Sequence, residues 1–232
     1  MLFNEGYGAH QGEELVRHDV CMEAIRLTAL LAEHPAGDVP KVHALLALML
    51  LQASRLPARV DANGDLLLLN EQDRSRWDQK IQRGLYHLEH SAAGEELSEY
   101  HLQAGIAACH AVAPDYEATD WKRILDYYDE LVAMNHSPVV ALNRTVALVM
   151  IEGPAAGIQA LDKIKTLPPM KSYYLLHSTY AEFYMQLGEH QKALQCYRPA
   201  LELVGTEPER RFLLRKIKEC ENFNVLRTLG NA

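Results

Sequence analysis

Apolar positions recur along this chain at helical spacing, in segments closed by proline or glycine. From Glu13 they fall at Leu15, Val16, Val20, Ile25, Leu27, Leu30 and Leu31, which predicts a helix ended by His34-Pro35-Ala36-Gly37. Asp38 is placed to cap the next helix, with Pro40 in its first turn. That helix, about Val39 to Arg55, is apolar on nearly every face (Ala44 to Leu51), as a central helix covered on several sides should be. Further helices are predicted from Arg74 to His90, from Glu96 to Ala113, after Thr119 or Asp120, from Val139 to Ile151, and from Ala155 to Lys165. The segments Tyr173 to Leu187 and His190 to Leu203 form a pair joined at Gly188, and a last helix runs from Glu207 to Phe223. The lead-in, with Gly6, Gly8 and Gly12, reads as irregular.

The pattern breaks between Leu56 and Trp77. Pro57 ends the apolar run, and Asn63-Gly64 is a tight-turn signal because both residues tolerate positive φ. Val60 before the turn and Leu66 to Leu69 after it predict a short hairpin or extended insertion over residues 57–70. Charge follows, in Glu71, Asp73, Arg74, Arg76 and Asp78, with Trp77 among them. Two readings of this group compete: charged neighbours pinning the insertion to the helices, or a docking surface.

The helices come in short pairs. The stretch YLLHSTYAEFYMQLGEHQKALQCYRPALEL places Ala181, Tyr184, Gly188, Ala193, Tyr197, Ala200 and Leu201 as a tetratricopeptide repeat does. Small residues let antiparallel helices approach, and the tyrosines fill the groove to the next pair. Tyr128, Leu161 and Tyr197 lie 33 and 36 residues apart, near such a repeat length. Pro199 breaks the pattern inside its helix. The expected fold is therefore all-α: stacked antiparallel helix pairs, a solenoid resembling tetratricopeptide repeats, in a single domain over 1–232. Its N-terminal helices with the inserted hairpin span 12–92, and its helix pairs 96–223.

Composition narrows the function. The 232 residues are 48% hydrophobic and carry a net charge of −8, against a broad nucleic-acid surface. Cys21, Cys109, Cys196 and Cys220 never form a CxxC pair and suit reduced, mostly buried thiols of a cytoplasmic protein. No apolar run is long enough to span a bilayer.

Little chemistry stands out. His87 and His90 form an HxxH, but a third metal ligand is not evident nearby. Asp61, Asn63 and Asp65 lack the glycine and the terminal glutamate of a calcium loop. No nucleophile elbow, dinucleotide fingerprint or P-loop occurs, so the expectation is a protein that is not an enzyme and holds no cofactor. Asn143 and Arg144, polar residues inside an apolar run, need partners and are candidates for a peptide-binding groove. With Arg59, Asp61, Asp73, Arg74, Arg76 and Trp77 they make up the candidate partner- or ligand-binding residues.

Several runs carry a family resemblance: FNEGY (3–7), CMEAIRL (21–27), LLALMLLQASRLPARVDANGDLLLLNEQDRSRWD (45–78), SPVVALNRTVAL (137–148), GPAAG (153–157) and ERRFLLRKI (209–217). Together they resemble the C-terminal, tetratricopeptide-like extension of one group of extracytoplasmic-function sigma factors of the sigma-70 family. The resemblance covers essentially the whole chain. It implies a regulatory domain that supports transcription initiation by RNA polymerase. The implied partners are the factor's own N-terminal regions, the polymerase, or a small YCII-related regulatory protein, with no direct DNA contact and no membrane. In that family FNEGY follows the promoter-reading regions, which this chain does not include, so a fragment of a longer factor is the expectation. The alternative is a small-molecule sensor, its pocket lined by Trp77 and Tyr86.

Overall fold

The computed structural model describes residues 2–7, 17–78 and 80–229. They form eleven α-helices, three short 3-10 turns and one isolated antiparallel bridge, Val60 with Leu66, joined by turns and irregular segments. The all-α expectation is met, and the predicted hairpin reduces to that bridge. The chain divides into two compact units, Met1–Met134 and Asn135–Ala232.

The first unit contains α1 (Leu2–Tyr7), α2 (His18–Glu33), α3 (Pro40–Ala53), α4 (Lys80–Ser91), α5 (Glu99–Val112) and α6 (Trp121–Asn135). Residues 2–7, expected to be irregular, form a helical turn in which Phe3 and Tyr7 stack at 5.7 Å. The expected helix start at Glu13 lies outside the described residues.

Helix α3 is the centre of this unit. Leu46, Leu50 and Leu51 are fully buried, each contributing about 1.5–3 kcal/mol. Its neighbours are α2, through Thr28 and Met49 (3.5 Å); α4, through His43 and His87; and α5, where Leu51 meets Ala107 and Ala108. Gly84 permits the α3–α4 approach, because a Cβ there would lie 2.7 Å from Leu51 Cγ. The predicted Asp38 cap is not made. Val39 occupies the N-cap without a side-chain bond, and the Asp38 carboxylate instead accepts from His43 Nε2 at 2.8 Å.

The second unit contains α7 (Pro138–Glu152), α8 (Pro154–Ile164), α9 (Tyr174–Gln186), α10 (His190–Leu203) and α11 (Glu207–Leu229). Ser137 caps α7 through Val140 N, with Pro138 at its first position. Gly153 (φ 85°) and Gly188 (φ 72°) make the reversals between α7 and α8 and between α9 and α10, a backbone region that favours glycine. Leu142, Val149, Leu161, Met170, Leu176 and Phe183 form its core. Ala181, Ala193 and Ala200 have no exposed surface, so α9 and α10 pack closely as the repeat reading requires. Pro199 lies inside α10 without ending it.

Repeat geometry shows directly in side-chain contacts between α9 and α11. Tyr174 donates to Glu209, Lys216 Nζ lies 3.7 Å from Glu182, and Cys220 Sγ lies 3.3 Å from Met185 Sδ. These partners sit 35, 34 and 35 residues apart and advance together, so the two helices run parallel at one repeat length. Fully buried Tyr197 lies between them on α10 and donates to the same Glu182.

Candidate partner- and ligand-binding site

The insertion of the first unit is built from local turns anchored at both ends. A 3-10 turn, Leu56–Ala58, follows α3. Arg59 then reaches α1: its guanidinium donates to the Tyr7 carbonyl and lies over the Tyr7 ring at 4.1 Å. Asp61 is occupied by the turn itself. Its Oδ1 accepts from the amides of Asn63 (2.8 Å) and Asp65 (2.9 Å), and Gly64 takes φ 78°. That network, not a calcium loop, is what the Asp61-Asn63-Asp65 spacing produces.

Asp73 caps the 3-10 turn Arg74–Arg76, accepting from the Ser75 amide (2.9 Å) and hydroxyl (2.6 Å). Those bonds hold its carboxyl below the usual range. Arg74 crosses to the end of α5, donating to the carbonyls of His110 (2.6 Å) and Ala113 (2.9 Å) and to Thr119 Oγ1 (3.1 Å). It thus serves carbonyls that a helix terminus leaves open. Trp77 is buried between two cations, Arg55 at 5.3 Å and Arg74 at 5.0 Å from its ring centre. Asp78 is tied back through its amide to the Ser54 carbonyl (3.1 Å) and pairs with Lys80. Arg76 is exposed.

Five of the insertion's six candidates, Arg59, Asp61, Asp73, Arg74 and Trp77, therefore take part in contacts inside the first unit. Asn143 and Arg144 lie in the second, on α7, with Asn143 exposed and Arg144 half-buried. Asn143 sits in a row of exposed residues, Val139 (36%), Val146 (39%) and Met150 (38%), spaced four, three and four apart on one helix face. The opposite face, Leu142, Thr145 and Val149, is buried. Sequence reasoning picked Asn143 as a polar intruder in an apolar run. The row of apolar side chains around it was not recognised.

The groove beside Trp77 is lined by Asp78, Ile81, Gln82, Leu85, Ala111 and Val112, and Tyr86 is not among its lining residues. Tyr86 packs on His90 at 4.0 Å and is 54% exposed.

Sequence reasoning also missed three residues that come from elements distant along the chain. His43, from α3, meets the HxxH: its Nδ1 lies 2.9 Å from His87 Nδ1 and its ring 5.8 Å from that of His90. Burial, then the neighbouring His43 and Arg83, lower the His87 pKa to about 4. Among the described residues no group of three or more His, Cys, Asp or Glu is placed to hold a metal. Arg55 and His110 join the Arg74–Trp77 cluster, and burial with the two guanidinium charges lowers the His110 pKa to about 3. Arg55, a cation closing an apolar helix just before Pro57, was the one visible signal.

In comparison with known proteins, residues 1–92 match the model of DUF6596, a family of unknown function. An uncharacterized protein of Rhizobium meliloti is 38% identical over 214 residues, 92% of this chain and 50% of that protein. A serine/threonine-protein phosphatase T of Trypanosoma brucei brucei is 27% identical over 131 residues, 56% of this chain and 25% of the phosphatase. The chain thus spans half the length of the first relative and a quarter of the second. No solved structure matches it. No helix among the described residues is long and apolar enough to cross a membrane.

Proposed function

We propose that this chain is a regulatory, protein-binding domain of a cytoplasmic sigma factor, which supports transcription initiation by gripping another protein and performs no bond chemistry. The grip is on the factor's own promoter-binding regions, on RNA polymerase, or on a small YCII-related protein. The observation that carries this reading is the exposed row Val139, Asn143, Val146 and Met150 on α7. Apolar side chains at four-three-four spacing around one amide suit an amphipathic helix laid alongside. The resemblance of FNEGY and the QDRSRWD region to sigma-factor extensions supports it. The Rhizobium meliloti relative adds room, since it carries as much chain again outside the matched stretch.

The test is titration of this domain, by calorimetry, with the separately expressed promoter-binding regions of the longer factor and with polymerase core. Val146→Asp is expected to weaken binding at least tenfold while leaving the melting temperature unchanged. Wild-type domain that binds none of these partners, or Val146→Asp that binds as tightly as wild type, would remove the reading.

A further inference from the structure

Helices α4, α5 and α6 line a cavity of about 370 Å³ that belongs wholly to the first unit and opens to solvent. Its walls are mostly apolar. Leu88 of α4 and Leu102 of α5 line it, with Leu97 of the loop between them, which is 51% exposed. Tyr127 of α6 adds an aromatic wall. Gly105 lets that ring lie close against α5, because a Cβ there would come within 2.9 Å of it. The volume falls at the lower end of the about 300–1,000 Å³ range of small-molecule sites, so it suits a small ligand.

Charges of both signs line this cavity without neutralising one another. Arg123, on α6, is positioned within its own helix: its Nε donates to the Tyr127 hydroxyl at 3.0 Å. The guanidinium forms no ion pair among the described residues, and neighbouring Asp120 accepts instead from the Arg123 amide at 3.0 Å. Glu95 and Glu96, from the loop, have neither an ion pair nor a hydrogen-bonded carboxylate among the described residues. His101 adds no charge. Its Nδ1 accepts from the Ser98 amide at 3.1 Å and its Nε2 lies 3.2 Å from the Ser91 carbonyl, which a neutral imidazole satisfies at both nitrogens.

Solvent would hydrate these charges but leave the apolar walls wet. A small molecule with an anionic group, a cationic group and an apolar body meets all three at once. A carboxylate matches the planar fork of a guanidinium, and the Tyr127 hydroxyl keeps its proton to donate. An ammonium matches the two carboxylates.

We propose that this cavity binds a free amino acid with an apolar side chain. Its carboxylate sits on Arg123 and Tyr127, its ammonium on Glu95 and Glu96, and its side chain against Leu88, Leu97 and Leu102. Only residues of the first unit make the site, so it stands independently of the partner-binding reading.

The experiment is isothermal titration calorimetry of the whole chain with leucine, isoleucine, valine, methionine and phenylalanine in turn. Saturable binding of at least one is expected. Its N-acetyl derivative, which lacks the positive charge, and its amide, which lacks the negative one, should each bind about tenfold or more weakly, since each forfeits charge-assisted bonds. Arg123→Met should weaken the amino acid by a similar factor while leaving its amide unaffected. Glu95→Gln combined with Glu96→Gln should weaken the amino acid while leaving its N-acetyl derivative unaffected. This crossed pattern separates direct contact from a general loss of structure. All three side chains are exposed, so the variants should keep the wild-type circular-dichroism melt. Absence of saturable binding by every amino acid tried overturns the proposal. So does an amide or N-acetyl derivative that binds as tightly as its parent, or an affinity unchanged in both variants, which would put the ligand elsewhere on the chain.

Discussion

Replacing Arg74 tests whether the insertion is fastened by a single side chain. Its guanidinium makes three hydrogen bonds, to the carbonyls of His110 and Ala113 and to the Thr119 hydroxyl, and it lies against Trp77. Hydrogen bonds to a charged group contribute about 1.5–3 kcal/mol each when one partner is deleted. The contacts are not additive, and Arg74 is half-buried, so the sum is discounted to about 3 kcal/mol for Arg74→Met. Methionine keeps most of the apolar stem, which confines the loss to the polar head. For a unit of this size about 3 kcal/mol lowers Tm by roughly 10 °C. The assay is urea unfolding followed by tryptophan fluorescence. Both tryptophans, Trp77 and Trp121, lie in the first unit, so the signal reports that unit alone. Arg74→Lys should fall between, because a single ammonium cannot span three acceptors set out for a planar fork. Exposed Arg76→Met should change stability by less than about 0.5 kcal/mol. Equal stability of Arg74→Met and Arg76→Met would refute the reasoning, since the loop would then be held by packing alone.

Three further outcomes follow from the same contacts. Gly157→Ala should destabilise the second unit by about 1–3 kcal/mol in circular-dichroism melts, because the added Cβ would lie 2.7 Å from Phe183 Cε2 in a filled core. In acid the first unit should weaken through His110 and His87, whose folded pKa values of about 3 and about 4 lie below the ordinary histidine value near 6.5. The unfolded chain takes these protons first, so stability is lost as pH falls from about 6.5 towards 3, at about 1.4 kcal/mol per unit for each imidazole while it titrates. His110→Phe should remove its share of that slope in fluorescence-monitored urea titrations. Tyr197→Phe should cost about 1 kcal/mol by thermal melt, through the lost bond to Glu182.

The sequence by itself determined the helices and most of their ends. Apolar spacing marked α3 as central, and Ser137-Pro138, Gly153-Pro154 and Gly188 stopped or started helices where the structure has them. These are local effects: a missing amide hydrogen, a positive φ or a capping oxygen acts on the residues beside it. The repeat period was legible for the same reason, since small residues recur wherever helices must approach. The candidate site was legible only in part. Asp73, Arg74 and Trp77 declared themselves as charges around an aromatic ring, but nothing local says that Arg74 ends on α5 carbonyls. Tertiary structure alone brought His43 to His87, Arg55 to Trp77, and His110 into the field of Arg55 and Arg74, across 22 to 55 residues of chain. Which polar groups end up near one another depends on how helices distant in sequence pack, and no spacing rule carries that information.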